Sequence, residues 1–145
     1  NTDFYAYRGA ATAKAIRYSG FSSTIAASFV VSGYFSISYD DAGLYLGDTS
    51  GKVIRYNGLG TSVRGSFTDT GKSHTGVTWD GTNLYTSEDS AASGKHWKHT
   101  GFTAGAASSI IVTGTDAVYD IEWDNTNARL ALAAAAVSHW LLMGV

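Results

Sequence analysis

The stretch "HTGVTWDGTNLYTSED", residues 74–89, alternates apolar and polar residues, turns at Asp80-Gly81, and then alternates again. This pattern predicts a β-hairpin with a tight turn. A lone two-stranded hairpin cannot bury one of its faces and is marginally stable in water. The hairpin is therefore expected to belong to a larger all-β unit, and the rest of the chain indicates which.

The hairpin lies in the second of three similar stretches of sequence, which align at a spacing of roughly 40 residues. Columns of identical or similar residues recur in the same order in all three. The glycine column contains Gly20, Gly58 and Gly101. The aromatic-Asp column contains Tyr39, Trp79 and Trp123, followed directly by Asp40, Asp80 and Asp124. Further columns contain Ile16, Ile54, Trp97 and Trp140, and the pairs that begin at Ser28, Ser66 and Ser109. This repetition is unlike chance similarity and indicates a repeat protein.

Each repeat unit is punctuated by Gly, Asn, Asp and Ser, and its apolar residues alternate with a period of two. The central unit predicts four strands, at residues 52–57, 62–68, 74–79 and 83–88. Four antiparallel strands in about 40 residues make one blade of a β-propeller. A β-sandwich is the alternative, but a sandwich does not require a repeating sequence. We expect a single all-β domain over 1–145, with repeat units at about 16–53, 54–96 and 97–139.

Composition excludes several classes of function. The 145-residue chain has a net charge of -2, so nothing in it predicts binding to nucleic acid or to anionic lipid. It contains no cysteine, which excludes disulfides, a thiolate nucleophile and a cysteine-type zinc site. No apolar run approaches the ~20 residues of a membrane-spanning helix, so membrane insertion is not expected. No cofactor is expected either.

The segments "RYSGFSSTIAASF", "GVTWDGTNLYTSED" and "GKVIRYNG" resemble the repeats of NHL-like β-propellers that occur in phage and environmental microbial proteins. The resemblance extends from about Ala13 to Trp123 and implies a propeller fold. It implies no particular activity, because propellers have many functions. The first unit departs from the pattern with "YDDAG" in place of "WDGTN". The third departs with "DNTNARLALAAAA", where "LYTSED" is expected.

The two ends of the chain predict unfinished blades. The segment "DFYAYRG" matches the second strand of a blade, and "VSHWLLMGV" matches a third strand, giving about three and a half four-stranded blades. Open sheet edges invite pairing with another chain. We therefore expect the protein to bind copies of itself, as a ring or as a filament, or else the sequence to be cut from something longer. The expected assembly edges contain Phe4, Tyr5, Tyr7, Trp140, Leu141, Leu142 and Met143.

The motifs "WDGTN", "YDDAG" and "WDNTN" could supply oxygen ligands to calcium, but such Asp-rich segments are also the commonest hairpin turns. We predict turns. The carboxylates Asp48, Glu88 and Asp89 could form a glycosidase pair. However, Asp48 and Asp89 occupy equivalent repeat positions, whereas an active site is expected to break the symmetry of the repeats. The prediction is that the protein is not an enzyme.

The four histidines do not predict a metal site. In a strand, His96 and Lys98 point to one face, while Trp97 and His99 point to the other. No histidine pair stands beside a carboxylate at a metal-ligand spacing along the chain. We therefore predict no metal site.

Aromatic residues support a second function. Tyr18, Tyr56 and His99 form a repeated column beside Arg17, Arg55 and Lys98. In the spaces between blades, such residues could stack on sugar rings, as in a lectin-like adhesin. The alternative is a purely structural role, in which one residue of each adjacent cationic and aromatic pair packs between blades and the other is solvated.

Three function classes follow. The favoured one is a structural protein of an extracellular filament or virion appendage, located outside the cell or on the virion surface. The second is a carbohydrate-binding module, and the third is a propeller enzyme.

Overall fold

The computed structural model describes residues 4–8, 13–31, 33–40, 43–88, 94–112, 118–124, 126–134 and 141–144. Every regular element in these residues is a β-strand. The strands are β1 Phe4–Arg8, β2 Lys14–Tyr18, β3 Ile25–Val30, β4 Tyr34–Asp40, β5 Gly43–Asp48, β6 Lys52–Asn57, β7 Val63–Thr68, β8 Gly76–Trp79, β9 Leu84–Glu88, β10 Gly94–His99, β11 Ser108–Val112, β12 Val118–Asp124, β13 Arg129–Ala134 and β14 Leu141–Gly144. None of the described residues belongs to a helix of the length and apolarity that crossing a bilayer requires.

The strands form four antiparallel sheets, in each of which neighbours in sequence are neighbours in space. We number the sheets as blades: blade 1 contains β1–β3, blade 2 contains β4–β7, blade 3 contains β8–β11 and blade 4 contains β12–β14. Blades 2 and 3 have four strands each, and blades 1 and 4 have three. The prediction of four-stranded antiparallel blades, about three and a half per chain, is confirmed.

The sequence repeat is offset from the blade by two strands. Within the central unit, β6 and β7 belong to blade 2, whereas β8 and β9 belong to blade 3. Strand β1 pairs with β2 along its whole length, from Phe4 opposite Tyr18 to Arg8 opposite Lys14. The segment that was predicted to be a second blade strand therefore lies in that position.

Burial falls from the second strand of a blade to the fourth. The second strand of blade 2 is covered on both faces, and Leu44, Tyr45 and Leu46 are fully buried. The fourth strand alternates instead, and Val63 on it is exposed. This gradient explains why the sequence of β5 is nearly continuously apolar, while that of β7 alternates.

The core lies between blades. Alternation along β5 directs Leu44 and Leu46 toward blade 1, where they pack with Ala15 and Val31. Tyr45 points the other way, toward blade 3, and packs with Val53, Val77 and Leu84. Each blade thus contributes opposite faces of the same strands to two successive interfaces.

Hydroxyl groups connect the first strands of successive blades. The Ser38 hydroxyl in β4 donates to Thr78 Oγ1 in β8 at 3.5 Å. The Trp123 amide in β12 donates to the same Thr78 oxygen at 3.1 Å. Small buried polar residues therefore let these strands approach one another closely where the blades converge.

The glycine column has a backbone explanation. Gly20, Gly58 and Gly101 have φ values of 60°, 57° and 67°, in the left-handed region that side chains disfavour. Gly58 and Gly101 follow the third strands of blades 2 and 3 and start the turns into the fourth, and Gly20 follows the corresponding strand β2 of blade 1. The next residue in each blade is Phe21, Leu59 or Phe102, which we call the knob residues.

Candidate functional site

The opening motif forms a turn. Asp80 Oδ1 accepts hydrogen bonds from the amides of Thr82 and Asn83, at 2.7 and 2.6 Å. Burial alone raises the pKa of Asp80, but these amides and the Asn83 side chain lower it below its usual value. The carboxylate is therefore ionised and occupied by its own turn, as the turn interpretation predicts.

Asp80 and its counterpart Asp40 each accept a hydrogen bond from a tyrosine in the next strand. Tyr45 donates to Asp40 Oδ2 and Tyr85 donates to Asp80 Oδ2, both at 2.9 Å. Burial and the neighbouring carboxylate raise the pKa of Tyr85 to about 12, so the phenol keeps its proton. In blade 4 the equivalent position is Ala131, because Leu130 pairs with Trp123 as Leu84 pairs with Trp79. The repeat changes at this point.

Each of these tyrosines stacks on the aromatic residue of the following blade. The Tyr45 and Trp79 rings are 5.7 Å apart at 14°, and the Tyr85 and Trp123 rings are 5.5 Å apart at 4°. A third stack joins blade 1 to blade 2, between Tyr5 and Tyr39 at 3.9 Å. The aromatic column of the sequence is thus one half of a repeated stack between blades.

The cationic column is part of the same interfaces. Arg55 lies 5.0 Å from the Tyr45 ring and 5.5 Å from the Trp79 ring, and its guanidinium is 3.6 Å from Asp40. Lys98 lies 5.7 Å from the Tyr85 ring. Arg17 is paired with Tyr5 at the matching register position of blade 1. Arg55 and Lys98 therefore act on aromatic rings of the protein itself.

The neighbouring column contains Tyr18, Tyr56 and His99. It lies on the same strands as the cationic column but on their opposite face. Tyr56 packs edge-on against Phe29 of blade 1, at 5.1 Å. His99 is fully buried against Phe67 of blade 2, at 5.4 Å. Adjacent residues of a strand point to opposite faces, so Tyr56 and Arg55 lie at two different interfaces. The structure does not bring them together in one sugar pocket, whereas Tyr18 lines an open cavity.

That cavity lies on the face of blade 1 that is turned away from blade 2. It has a volume of about 530 Å³ and is lined by Ala6, Tyr18, Phe21, Ser22 and Ser23, which we call the open face. The side chain of Phe21 is 95% exposed. Phe21 is the most exposed of the described aromatic residues.

The other knob residues show what such a face contacts. Phe102 of blade 3 packs on blade 2, with its ring 5.1 Å from Phe67 and 6.0 Å from Tyr45. Leu59 of blade 2 packs on the hydrophobic cluster that lies between blades 1 and 2. In both cases the knob residue covers the preceding blade. Phe21 occupies the same position in the repeat.

The described part of the predicted assembly edges lies on the end strands β1 and β14 of the two three-stranded blades. Phe4, Tyr5 and Tyr7 lie on β1, which is an edge strand. Leu141, Leu142 and Met143 lie on β14, at the edge of blade 4, paired with β13. Trp140 lies outside the described residues. Each of these two strands therefore has a single partner strand among the described residues.

The acidic residues that were considered for catalysis have other roles or lie apart. Asp48 Oδ1 accepts from the amides of Ser50 and Lys52, at 2.8 and 2.9 Å, and so forms a turn. Glu88 is half-buried at the end of β9, and Asp89 lies outside the described residues.

The fold brings two histidines beside a carboxylate, although their spacing along the chain does not indicate it. Asp69, His74 and His99 place one potential metal-ligand atom each within 4.8 Å of the others. Asp69 and His74 lie in the connection from β7 to β8, whereas His99 ends β10. Chain spacing could not reveal this cluster, because packing between blades 2 and 3 brings His99 to the other two residues.

Sequence reasoning also missed Phe21, although a signal existed. Phe21 follows the column glycine directly, as Leu59 and Phe102 do. An apolar residue repeated beside a left-handed glycine predicts a packed loop tip.

No protein-family model matches the chain, and the comparison with curated proteins gave no match. Solved structures do match. A chain of a mitotic checkpoint complex aligns with 83% of this chain at 12% identity and a TM-score of 0.55, and 40% of that chain is covered. The C-terminal WD40 domain of Sif2 aligns with 93% at 10% identity and a TM-score of 0.52, and 52% of it is covered.

The β-propeller domain of Myceliophteria thermophila Cps50 (Swd1) aligns with 91% of this chain at 13% identity and a TM-score of 0.54, and 47% of it is covered. This chain thus spans about half the length of the propellers that it resembles. Identities this low bear on the fold alone, and that fold is a partial β-propeller.

Proposed function

We propose that the chain is a non-enzymatic structural module that binds further copies of itself through the open face of blade 1. The observation that carries the proposal is the exposed Phe21. Its counterparts Leu59 and Phe102 each cover a preceding blade, whereas Phe21 is 95% exposed at the same position of the repeat. A blade-like surface is the partner that this geometry fits.

The partner surface is proposed to be the far face of blade 4. Leu130 points toward blade 3 and is buried, so Ala131 points away from it. Ala131 occupies the position at which Tyr45 receives Phe102 in blade 2. A small residue there leaves room for a phenylalanine. Contact between Phe21 of one copy and Ala131 of the next is head-to-tail, and it produces a ring or a filament.

Edge pairing supports the same proposal. Within the described residues, β1 pairs with β2 alone and β14 with β13 alone. Edges of this kind gain backbone hydrogen bonds when a strand is added. A filament at a cell or virion surface is the form that we propose for the assembly.

The test is sedimentation of the 145-residue chain from about 1 to 100 µM, together with electron microscopy. We expect mass to rise with concentration and regular polymers or rings to form. Phe21→Asp is expected to weaken association at least about 30-fold, because a buried aromatic anchor contributes about 2 kcal/mol or more. Val63→Asp, at another exposed apolar site, is the matched control and leaves association unchanged.

A mixing experiment tests the head-to-tail geometry. Phe21→Asp and Ala131→Glu are each expected to block polymers, while their mixture forms a one-to-one dimer through the remaining intact faces. A wild-type chain that stays monomeric throughout the concentration series would overturn the proposal. So would normal polymerisation of Phe21→Asp.

A second candidate function is carbohydrate binding at the same open face. The aromatic rings of Tyr18 and Phe21 lie beside the hydroxyl of Ser23 in the cavity, a combination that suits a sugar ring. Tyr56 is a poor candidate, because it is half-buried against Phe29. A glycan array with wild type and Tyr18→Ala tests this function, which is rejected if no glycan binds or if the variant binds equally well.

A further inference from the structure

We infer that Asp69, His74 and His99 bind a divalent transition-metal ion of the zinc class between blades 2 and 3. The three side chains converge from two parts of the chain, with their ligand atoms within 4.8 Å of one another. Two imidazoles and one carboxylate are one of the ligand sets found in three-ligand zinc sites. This inference stands apart from the self-association proposal, because it concerns an interface inside one chain.

The histidines are buried and their ring nitrogens are poorly satisfied. Both His74 and His99 are fully buried. Among the described residues, neither nitrogen of His74 has a hydrogen-bond partner. The His99 ring lies near the Thr103 backbone, but its Nδ1 makes no hydrogen bond of good geometry. Buried polar atoms in folded proteins are almost always paired, so the two unpaired nitrogens of His74 require an explanation. A bound cation would accept the lone pair of one nitrogen on each ring.

The protonation states suit a metal. Burial lowers the pKa of His74 to about 4 and lowers the pKa of His99 as well. Both rings are therefore neutral at pH 7, which is the form that coordinates metals. Burial alone raises the pKa of Asp69, but the Lys72 ammonium lowers it, so the carboxylate is ionised.

Several polar groups already contact the cluster, including the backbone of Gly105 at Asp69 and that of Thr103 at His99. Lys72 Nζ lies 2.5 Å from Asp69 Oδ2 and 4.0 Å from the centre of the Trp97 ring. A cation bound to Asp69 would repel this ammonium, which keeps its contact with Trp97. The Thr86 hydroxyl lies 3.3 Å from His99 Nε2. Lys72 is therefore a competitor for the carboxylate, and its removal should favour the metal.

The donor set indicates the class of ion. Calcium and magnesium prefer oxygen ligands throughout, whereas imidazole favours zinc and its neighbours in the first transition row. Tetrahedral zinc with bonds of about 2.0–2.1 Å places ligand atoms ~3.3 Å apart, so the three side chains must close slightly on binding. The ion would then cross-link the β7–β8 connection to the end of β10.

The experiment uses the whole chain and Zn²⁺. We expect one zinc per chain by calorimetry and by metal analysis after dialysis. We also expect a Tm increase of about 5 to 10 °C at a hundredfold excess over Kd, reversed by EDTA. Co²⁺ should give the visible absorption of a four-coordinate site. A wild-type chain that binds neither ion would overturn the inference.

The variants include a matched control. His99→Gln and Asp69→Asn are expected to lose the Tm increase and the cobalt spectrum. His96→Gln changes an equally buried histidine of the same strand that points to the opposite face, and it should retain both. Lys72→Met is expected to bind zinc at least about 10-fold more tightly, because it removes a competing charge. If His96→Gln also lost the Tm increase and the cobalt spectrum, or if Lys72→Met bound zinc with unchanged affinity, the result would count against the site.

Discussion

Replacing Gly51 with alanine is expected to lower the free energy of unfolding by at least about 3 kcal/mol. Gly51 has a φ of 82°, which costs an L side chain about 1–2 kcal/mol by itself. A Cβ there would also overlap the Asp69 carbonyl oxygen and lie 2.9 Å from the Lys72 carbonyl oxygen. Backbone atoms cannot rotate away, so the β5–β6 turn and the β7–β8 connection must move apart.

Gly71→Ala is the control for this prediction. Gly71 has the same φ of 82°, but a Cβ at that position has nothing within 4 Å. It should therefore cost only the conformational strain, about 1–2 kcal/mol. Urea unfolding of both variants measures the difference. Equal losses would show that the close approach of the two connections at Gly51 has no energetic effect.

Acid is expected to destabilise the protein through His96, by about 3 kcal/mol between neutral pH and pH 4. His96 is 2% exposed, and burial lowers its pKa from 6.5 to about 4. The unfolded chain therefore binds a proton at a higher pH than the folded chain does. The stability from neutral His96 is present above pH 6.5 and is lost as the pH falls toward 4.

His96→Leu tests this linkage, because leucine has a similar volume and does not titrate. The variant should be within about 1 kcal/mol of wild type at pH 7, since it also removes two buried nitrogens that have no partner among the described residues. It should be the more stable protein at pH 4. Chemical unfolding at several pH values measures both curves. Parallel curves would mean that His96 does not set the acid sensitivity.

The fold was predictable because the relevant signals are local or periodic. The Trp79-Asp80 turn and the column glycines depend on the conformations of a few consecutive residues. Their recurrence at a spacing of roughly 40 residues indicates blades. The offset between repeat unit and blade could also be inferred from the second-strand character of Phe4–Arg8.

The sites were harder to predict, because they form between blades. Tyr45 stacks on Trp79 only when blades 2 and 3 pack together. Arg55 and Tyr56 are adjacent in sequence, but strand alternation places them at different interfaces. His99 approaches Asp69 across the same packing, so no spacing rule along the chain can find that cluster.

The two-strand offset between repeat unit and blade bears on how such a gene could change length. A tandem duplication of one unit inserts the outer half of one blade and the inner half of the next, and the junctions on both sides keep their hairpin connections. The stacking partners Tyr45 and Trp79 fall in neighbouring units, so every copy arrives with matching halves of two interfaces. Recombination between units can therefore vary the copy number while leaving each surviving contact in register.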